Sequence, residues 1–167
     1  MSDLLDFSLD ELTPVAVPQL SQGIFCSPFF IALPYLWAKS IVEEFELVAV
    51  PKSPPWMAGV ANLAGVILPV IDLSAYFSPT QQPNPIHKQH RLLIGGDFGG
   101  GDEAVPMALL FEGLPQQVKA LRRSVSEQSS MPQELAQLCV GELTNERGQS
   151  FFELDPDLLT QALLQAL

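Results

Sequence analysis

The segment Pro54-Pro55-Trp56-Met57-Ala58-Gly59-Val60-Ala61-Asn62-Leu63-Ala64-Gly65-Val66-Ile67-Leu68-Pro69-Val70-Ile71-Asp72-Leu73 decides how this chain is read. Prolines lead into Gly59, and a short apolar strand follows. Asn62 to Gly65 reads as a turn, because Asn and Gly tolerate the positive φ that tight reversals demand. A second, strongly β-branched strand ends at Asp72. Asp72 stands before Leu73-Ser74-Ala75-Tyr76-Phe77, where its carboxylate can cap a short helix. Gly59, Asn62, Gly65 and Asp72 are therefore structural residues: the glycines for backbone freedom, the other two for turn and cap hydrogen bonds. No charge falls between Gly59 and Ile71, so the hairpin is built to be buried or to bind something.

The same pattern recurs further on. Asn62, Gly65 and Asp72 are each matched 83 positions later, by Asn145, Gly148 and Asp155. Both sets read as strand, Asn-x-x-Gly turn, strand, Asp-capped helix. Two similar β lobes would leave such a trace.

Around these hairpins the chain divides into short pieces. Residues 1 to 21 read as a flexible tail, in which Leu4, Leu5, Phe7, Leu9 and Leu12 are interleaved with acids and prolines prevent a long helix. Gly23 to Pro34 reads as a strand region broken at Ser27-Pro28, and Tyr35 to Ala38 as one helical turn. Glu44-Phe45-Glu46-Leu47 alternates with the period of a half-exposed strand. Ser78 to Gln89 is a polar, proline-containing connection. Arg91 to Ile94 and Val105 to Phe111 are strands on either side of a glycine-rich loop, Gly95 to Glu103. Val118 to Leu121 is ambiguous, and Ser124 to Gln133 reads as polar connection. Leu138 to Leu143 and Ser150 to Leu154 are strands. A C-terminal helix starts at Asp155-Pro156-Asp157, with Leu159, Ala162, Leu163 and Ala166 on its apolar face.

The bulk properties narrow the function classes. A chain of 167 residues, 47% hydrophobic and 16% charged, can bury a real core. A net charge of −11 argues against nucleic acid and anionic membrane surfaces. No apolar run approaches the roughly 20 residues of a membrane span, so no direct membrane insertion is expected. The acidic start, Met1-Ser2-Asp3, is unlike a secretory signal, and a cytoplasmic protein is expected. Cys26 and Cys139 lie far apart without a Cys-x-x-Cys spacing and read as two buried free thiols, ahead of one disulfide or a reactive thiol.

Reactive constellations are weighed and set aside. Gly99-Gly100-Gly101-Asp102-Glu103-Ala104 formally fits a dinucleotide fingerprint. Its two carboxylates and the following Pro106 are wrong for a phosphate-facing helix. His87 and His90 have a metal-like spacing, but Lys88 and Arg91 crowd them and no carboxylate lies in the segment. Glu43, Glu44 and Glu46 read as a solvated face before an acidic interaction surface, and as catalytic residues last. No nucleophile, base and oxyanion donor assemble. The expectation is a non-enzyme with no catalytic residue, metal or cofactor.

From Ile41 to Leu73 the chain resembles the CheW-like family of chemosensory adaptor proteins. The resemblance is carried by Val50-Pro51, Pro54, Gly59, Asn62-Leu63-Ala64-Gly65, Ile67, Pro69-Val70 and Asp72-Leu73, at the family's spacing without a gap. Val105 to Leu114 looks like the family's second-lobe strand, with Glu112 where an Asp is usual. The resemblance implies an all-β fold with short helices: two five-stranded, SH3-like barrel lobes sharing an apolar core, plus the C-terminal helix, over residues 22–167. It also implies an adaptor without catalytic activity. Its partners would be a methyl-accepting chemoreceptor tip and the regulatory domain of a CheA-type histidine kinase. The partner-binding residues expected are Leu47, Trp56, Ala58, Leu63 and Ala64, although Trp56 equally suits the core. Two departures stand out: the family's Asn-Leu-Arg-Gly arginine is Ala64, and its Val-x-Glu-Ile is Ala38-Lys39-Ser40-Ile41. Such divergence fits a pilus-linked, twitching-motility array better than the main flagellar one. The competing reading is a small-molecule-sensing β-barrel, whose mark would be a closed apolar pocket inside one lobe.

Overall fold

The computed structural model describes residues 17–167 except 81, 83, 84, 97–104 and 127–129. The expected tail thus falls largely outside the described residues, as does the Gly99–Ala104 fingerprint.

The elements are β1 (Gln19–Cys26), β2 (Phe29–Pro34), β3 (Ala38–Val42), β4 (Met57–Leu63), β5 (Val66–Asp72), α1 (Leu73–Phe77), β6 (His90–Gly95), β7 (Met107–Ala120), α2 (Gln133–Leu138), β8 (Cys139–Thr144), β9 (Ser150–Leu154) and α3 (Pro156–Gln165). Their pairing sorts them into two lobes of identical order. In lobe 1 the order is β3, β6, first half of β7, β5, β4; in lobe 2 it is second half of β7, β1, β2, β9, β8. Each lobe has five strands, as the resemblance implied. The lobes are interleaved: β3 leaves lobe 2 to pair with β6, and β7 leaves lobe 1 to pair with β1. One parallel pairing in each lobe, β5 with β7 and β2 with β9, lets the sheet curl round.

A short bridge closes each barrel. After β3 the chain returns to β4, where Val48 and Val60 exchange two backbone hydrogen bonds of 2.9 Å. After β7, Arg123 and Glu142 on β8 do the same at 3.0 and 2.8 Å.

Strand alternation separates the cores. On β6 and β7, Leu92, Ile94, Ala108 and Leu110 point into barrel 1, with Ala61, Leu68 and Val70. The intervening Leu93, Met107, Leu109 and Phe111 point the other way, into a shared core with Ile24, Ile31, Leu33, Trp56 and the buried faces of all three helices. Barrel 2 is filled by Ala32, Val118, Leu143 and Phe151. Strands buried on both faces explain the continuous apolar runs in the sequence.

Several expectations change. Tyr35–Trp37 is a turn between β2 and β3, not a helical turn, and Ala38 already belongs to β3. Glu44–Leu47 is not a strand; Phe45 and Leu47 cover the open end of barrel 1 without a strand partner, so alternation there reports packing alone. β1 starts at Gln19, earlier than Gly23, and β7 runs on through the ambiguous Val118 to Ala120. The connection before Leu138 contains α2, entered from Pro132, with Leu135 and Leu138 buried at helical spacing. On α3, Leu159 and Leu163 are buried, but Ala166 is exposed because it caps the helix end. Both predicted caps form: Asp72 accepts from Ala75 N–H at 3.2 Å, and Asp155 from Asp157 N–H at 2.8 Å.

Candidate docking surfaces

The β4–β5 hairpin presents the first surface. Leu63 pairs with Val66, so Ala64 and Gly65 form a two-residue loop. Their φ values, +52° and +87°, are those of the type I′ turn that matches strand twist. Asn62 Oδ1 accepts the Gly65 N–H at 3.0 Å and pins the reversal. Beside this turn Val66, Ile67 and Val48 are exposed, Ile67 to 68% and Val48 to 65%. An open cleft runs between them, lined by Glu44, Phe45, Glu46, Val48, Asn62 and Leu63. Val60 turns both backbone groups outward to Val48. Antiparallel alternation turns those of Asn62 the same way, just past the bridge, leaving a short strand edge beside apolar side chains.

The expected partner residues distribute unevenly around it. Ala64 is exposed at the turn, and Leu47, Ala58 and Leu63 are half-buried against the barrel 1 core. Trp56 corrects the expectation: it is 2% exposed and stacks edge-on against Tyr76 at 5.7 Å, inside the shared core. The residues the sequence reading missed are Val48, Val66 and Ile67. The available signal was two consecutive β-branched residues straight after a turn, one of which must face outward.

A second apolar surface lies at the corner where β2 leaves lobe 2. Val17, Leu20, Tyr35, Leu36 and Leu121 are exposed there, Leu36 to 87%. The Tyr35 N–H donates to Leu20 O at 3.0 Å, and Gln19 pairs with Ala120, which brings these segments together. Lys39 Nζ donates to Leu36 O at 2.8 Å and holds the turn. Nothing local in the sequence marks this corner, because its residues come from three separate segments.

A cleft of about 500 Å³ opens at the lobe junction, with Phe29, Phe77, Thr80, His87 and Glu112 among its walls. The structure supplies the carboxylate that the sequence lacked near the histidines. His90 Nε2 lies 3.4 Å, and His87 Nε2 3.8 Å, from Glu112 Oε1. The hydrogen-bond polarity is wrong for a metal. His90 Nδ1 accepts the His87 N–H at 2.9 Å, and His87 Nδ1 accepts the Gln89 N–H at 3.3 Å. Both neutral rings therefore carry their proton on Nε2, where a metal would bind, and aim it at Glu112. A ligating histidine instead donates from its second nitrogen. Burial pushes the Cys26 thiol far above its ordinary value and raises that of Cys139, so neither offers a thiolate nucleophile. The interior of each barrel is packed with side chains, and the clefts described here open at its ends or between lobes.

Among the described residues, filled barrel cores and exposed apolar surfaces are features suited to binding rather than to enclosing a ligand. The chain matches the family model of the CheW-like domain over residues 30–163 and belongs to that family. Among solved structures it is similar to the crystal structure of the scaffolding protein TtCheW from Thermoanaerobacter tengcongensis. The identity is 15%, the match covers 83% of this chain and 89% of that one, and the TM-score is 0.63. A search of curated proteins gives no match. No helix among the described residues is long and apolar enough to cross a membrane.

Proposed function

We propose that the protein is a non-enzymatic, cytoplasmic adaptor that holds a chemoreceptor tip and a CheA-type histidine kinase in one signalling complex. The observation that carries this reading is that two of the exposed apolar surfaces lie on separate parts of one double barrel. A bridge needs two sites, and joining partners in fixed geometry raises their effective concentration. The β4–β5 surface, with Ala58, Leu63, Ala64, Val48, Val66 and Ile67, suits another barrel's strand edge; this is the kinase regulatory domain. Leu47 supports that surface from beneath. The corner of Leu20, Tyr35, Leu36 and Leu121 suits an apolar helix face; this is the receptor tip. Ala64 in place of arginine removes a charge-assisted contact, so the kinase involved differs from the partner of the main flagellar adaptor. We assign the complex to a pilus-linked array on that ground.

The test is binding of the purified chain to the regulatory domain of each CheA-type kinase from the same organism. Ile67→Glu should weaken the cognate pair about 30-fold, the size of a lost interface anchor. Leu36→Glu should leave kinase binding unchanged and abolish receptor binding. Equal effects of both substitutions on both partners would overturn the two-surface assignment. Swimming defects without twitching defects in a deletion strain would overturn the pilus assignment.

A further inference from the structure

We infer that His87, His90 and Glu112 form a proton-released clamp on the point where β7 crosses from one lobe to the other.

Glu112 is the crossover residue. It pairs with His90 on β6, a lobe 1 rung, and with Phe25 on β1, a lobe 2 rung. The next residue, Gly113, has φ +76° and is gripped on both sides. Its N–H donates to Gln89 O at 3.1 Å, and its carbonyl accepts from Arg91 Nη1 at 2.8 Å. The turn His87–His90 thus holds the crossover directly. It is itself held by His90 N–H to His87 O at 3.0 Å and by the two bonds in which ring Nδ1 atoms accept backbone N–H groups.

Those two acceptor bonds exist only while the rings are neutral. A proton on Nδ1 would face a backbone N–H, so each bond would become a repulsion between donors. Charge is opposed by the burial of His90, which is 5% exposed, and by the second ring, whose centroid lies 4.1 Å away. Glu112 and Asp72 favour the charged ring, while the buried Cys26 thiol stays neutral. Burial first, then His87, outweigh the carboxylates and hold His90 below the ordinary imidazole value of 6.5. The sign follows. The closed clamp binds fewer protons than an opened one, in which His90 returns to its ordinary value. The clamp is therefore firm above pH 6.5 and loosens as pH falls below it toward the lowered value. Its release would uncouple the orientation of the two lobes and of the surfaces they carry.

The test is amide hydrogen exchange of residues 86–91 and 113–114 from about pH 7.5 to about pH 5.5, corrected for intrinsic chemical exchange. Protection should fall about tenfold across that range, while the β4–β5 amides hold theirs. In His87→Asn/His90→Asn each Oδ1 takes the place of Nδ1, accepts the same N–H and does not titrate. Its protection should stay flat with pH. Wild-type protection that does not change would overturn the clamp, and so would an equal transition in the double variant. Should that variant fail to fold, the wild-type His90 ring resonances decide: a midpoint at or above 6.5 would overturn it.

Discussion

The two lobes solve one backbone problem with opposite chemistry. Gly59 pairs with Val70 beside a bulge in lobe 1, and Gly141 pairs with Glu153 beside a bulge in lobe 2. The Asp72 N–H donates to Trp56 O at 2.7 Å, and the Asp155 N–H donates to Leu138 O at 3.1 Å. Asn62 and Asn145 each anchor their turn through Oδ1. The barrel-closing bridge is Val48 with Val60 in one lobe and Arg123 with Glu142 in the other. At the matched interior position, fully buried Val70 answers Glu153, whose carboxylate takes two hydrogen bonds from Arg122, at 2.7 and 2.9 Å. Lobe 2 thus places a buried carboxylate beside its closing bridge and satisfies it with Arg122, the neighbour of the bridge residue Arg123. Lobe 1 closes with valines, one of them solvent-facing, and its hairpin carries Leu63, Ala64, Val66 and Ile67 where lobe 2 has Glu146, Arg147, Gln149 and Ser150. The difference teaches that one architecture can close its two barrels by the same backbone bonds and still leave apolar side chains in water on one lobe and polar ones on the other.

The strongest way to break this comparison is to exchange the buried residues. Val70→Glu would place a carboxylate in a fully buried site of lobe 1 with no arginine across from it. A loss above about 4 kcal/mol, read as failure to fold in urea titration, is expected. A folded variant would mean that lobe 1 is far looser than its packing implies.

Next comes the glycine at each bulge. A Cβ on Gly59 would sit 2.6 Å from Val48 O, a backbone atom, at φ +147°. Gly59→Ala should cost about 3 kcal/mol. A Cβ on Gly141 would meet chiefly the Arg122 side chain, at 2.5 Å. Gly141→Ala should cost about half as much, since Gly141 is not in the left-handed region and its closest contact is a side chain rather than a backbone atom. Equal shifts in urea midpoint would contradict the distinction.

Arg122→Ala would strand Glu153, which is 2% exposed. The expected loss is about 2 kcal/mol, below the cost of breaking a fully buried pair because the guanidinium is half in water. A double-mutant cycle with Glu153→Gln should recover most of it. Additive losses would show that the pair does not close lobe 2.

The smallest effect concerns the turns. Ala64 holds a left-handed conformation that disfavours residues with an ordinary Cβ. Ala64→Asn should raise stability by about 0.5–1 kcal/mol, because Asn-Gly suits a type I′ turn. An unchanged melting temperature would mean that Asn62 already holds the turn without strain.

What was readable beforehand was local. The β4–β5 hairpin, both Asp caps and the spaced Asn, Gly and Asp of the two lobes follow from turn and cap chemistry acting over three or four residues. The errors fall where a local signal had two meanings. Glu44–Leu47 alternates like a strand, yet Phe45 and Leu47 plug a barrel end. Trp56 suited the partner surface and the core equally, and the structure stacks it on Tyr76 in the core. The helix α2 was hidden because one buried face of two leucines is too short a period to count.

The residue pattern by itself determined two similar hairpins, their reversals, their helix starts and a chain able to bury a large apolar core. The tertiary structure alone decided that β3 and β7 cross between lobes, that Val48 and Ile67 stay in water while Trp56 does not, and that Glu112 meets two histidines. The reason is one of range. Turn and cap bonds link near neighbours, whereas strand partnership and exposure depend on how distant segments together bury the most apolar surface.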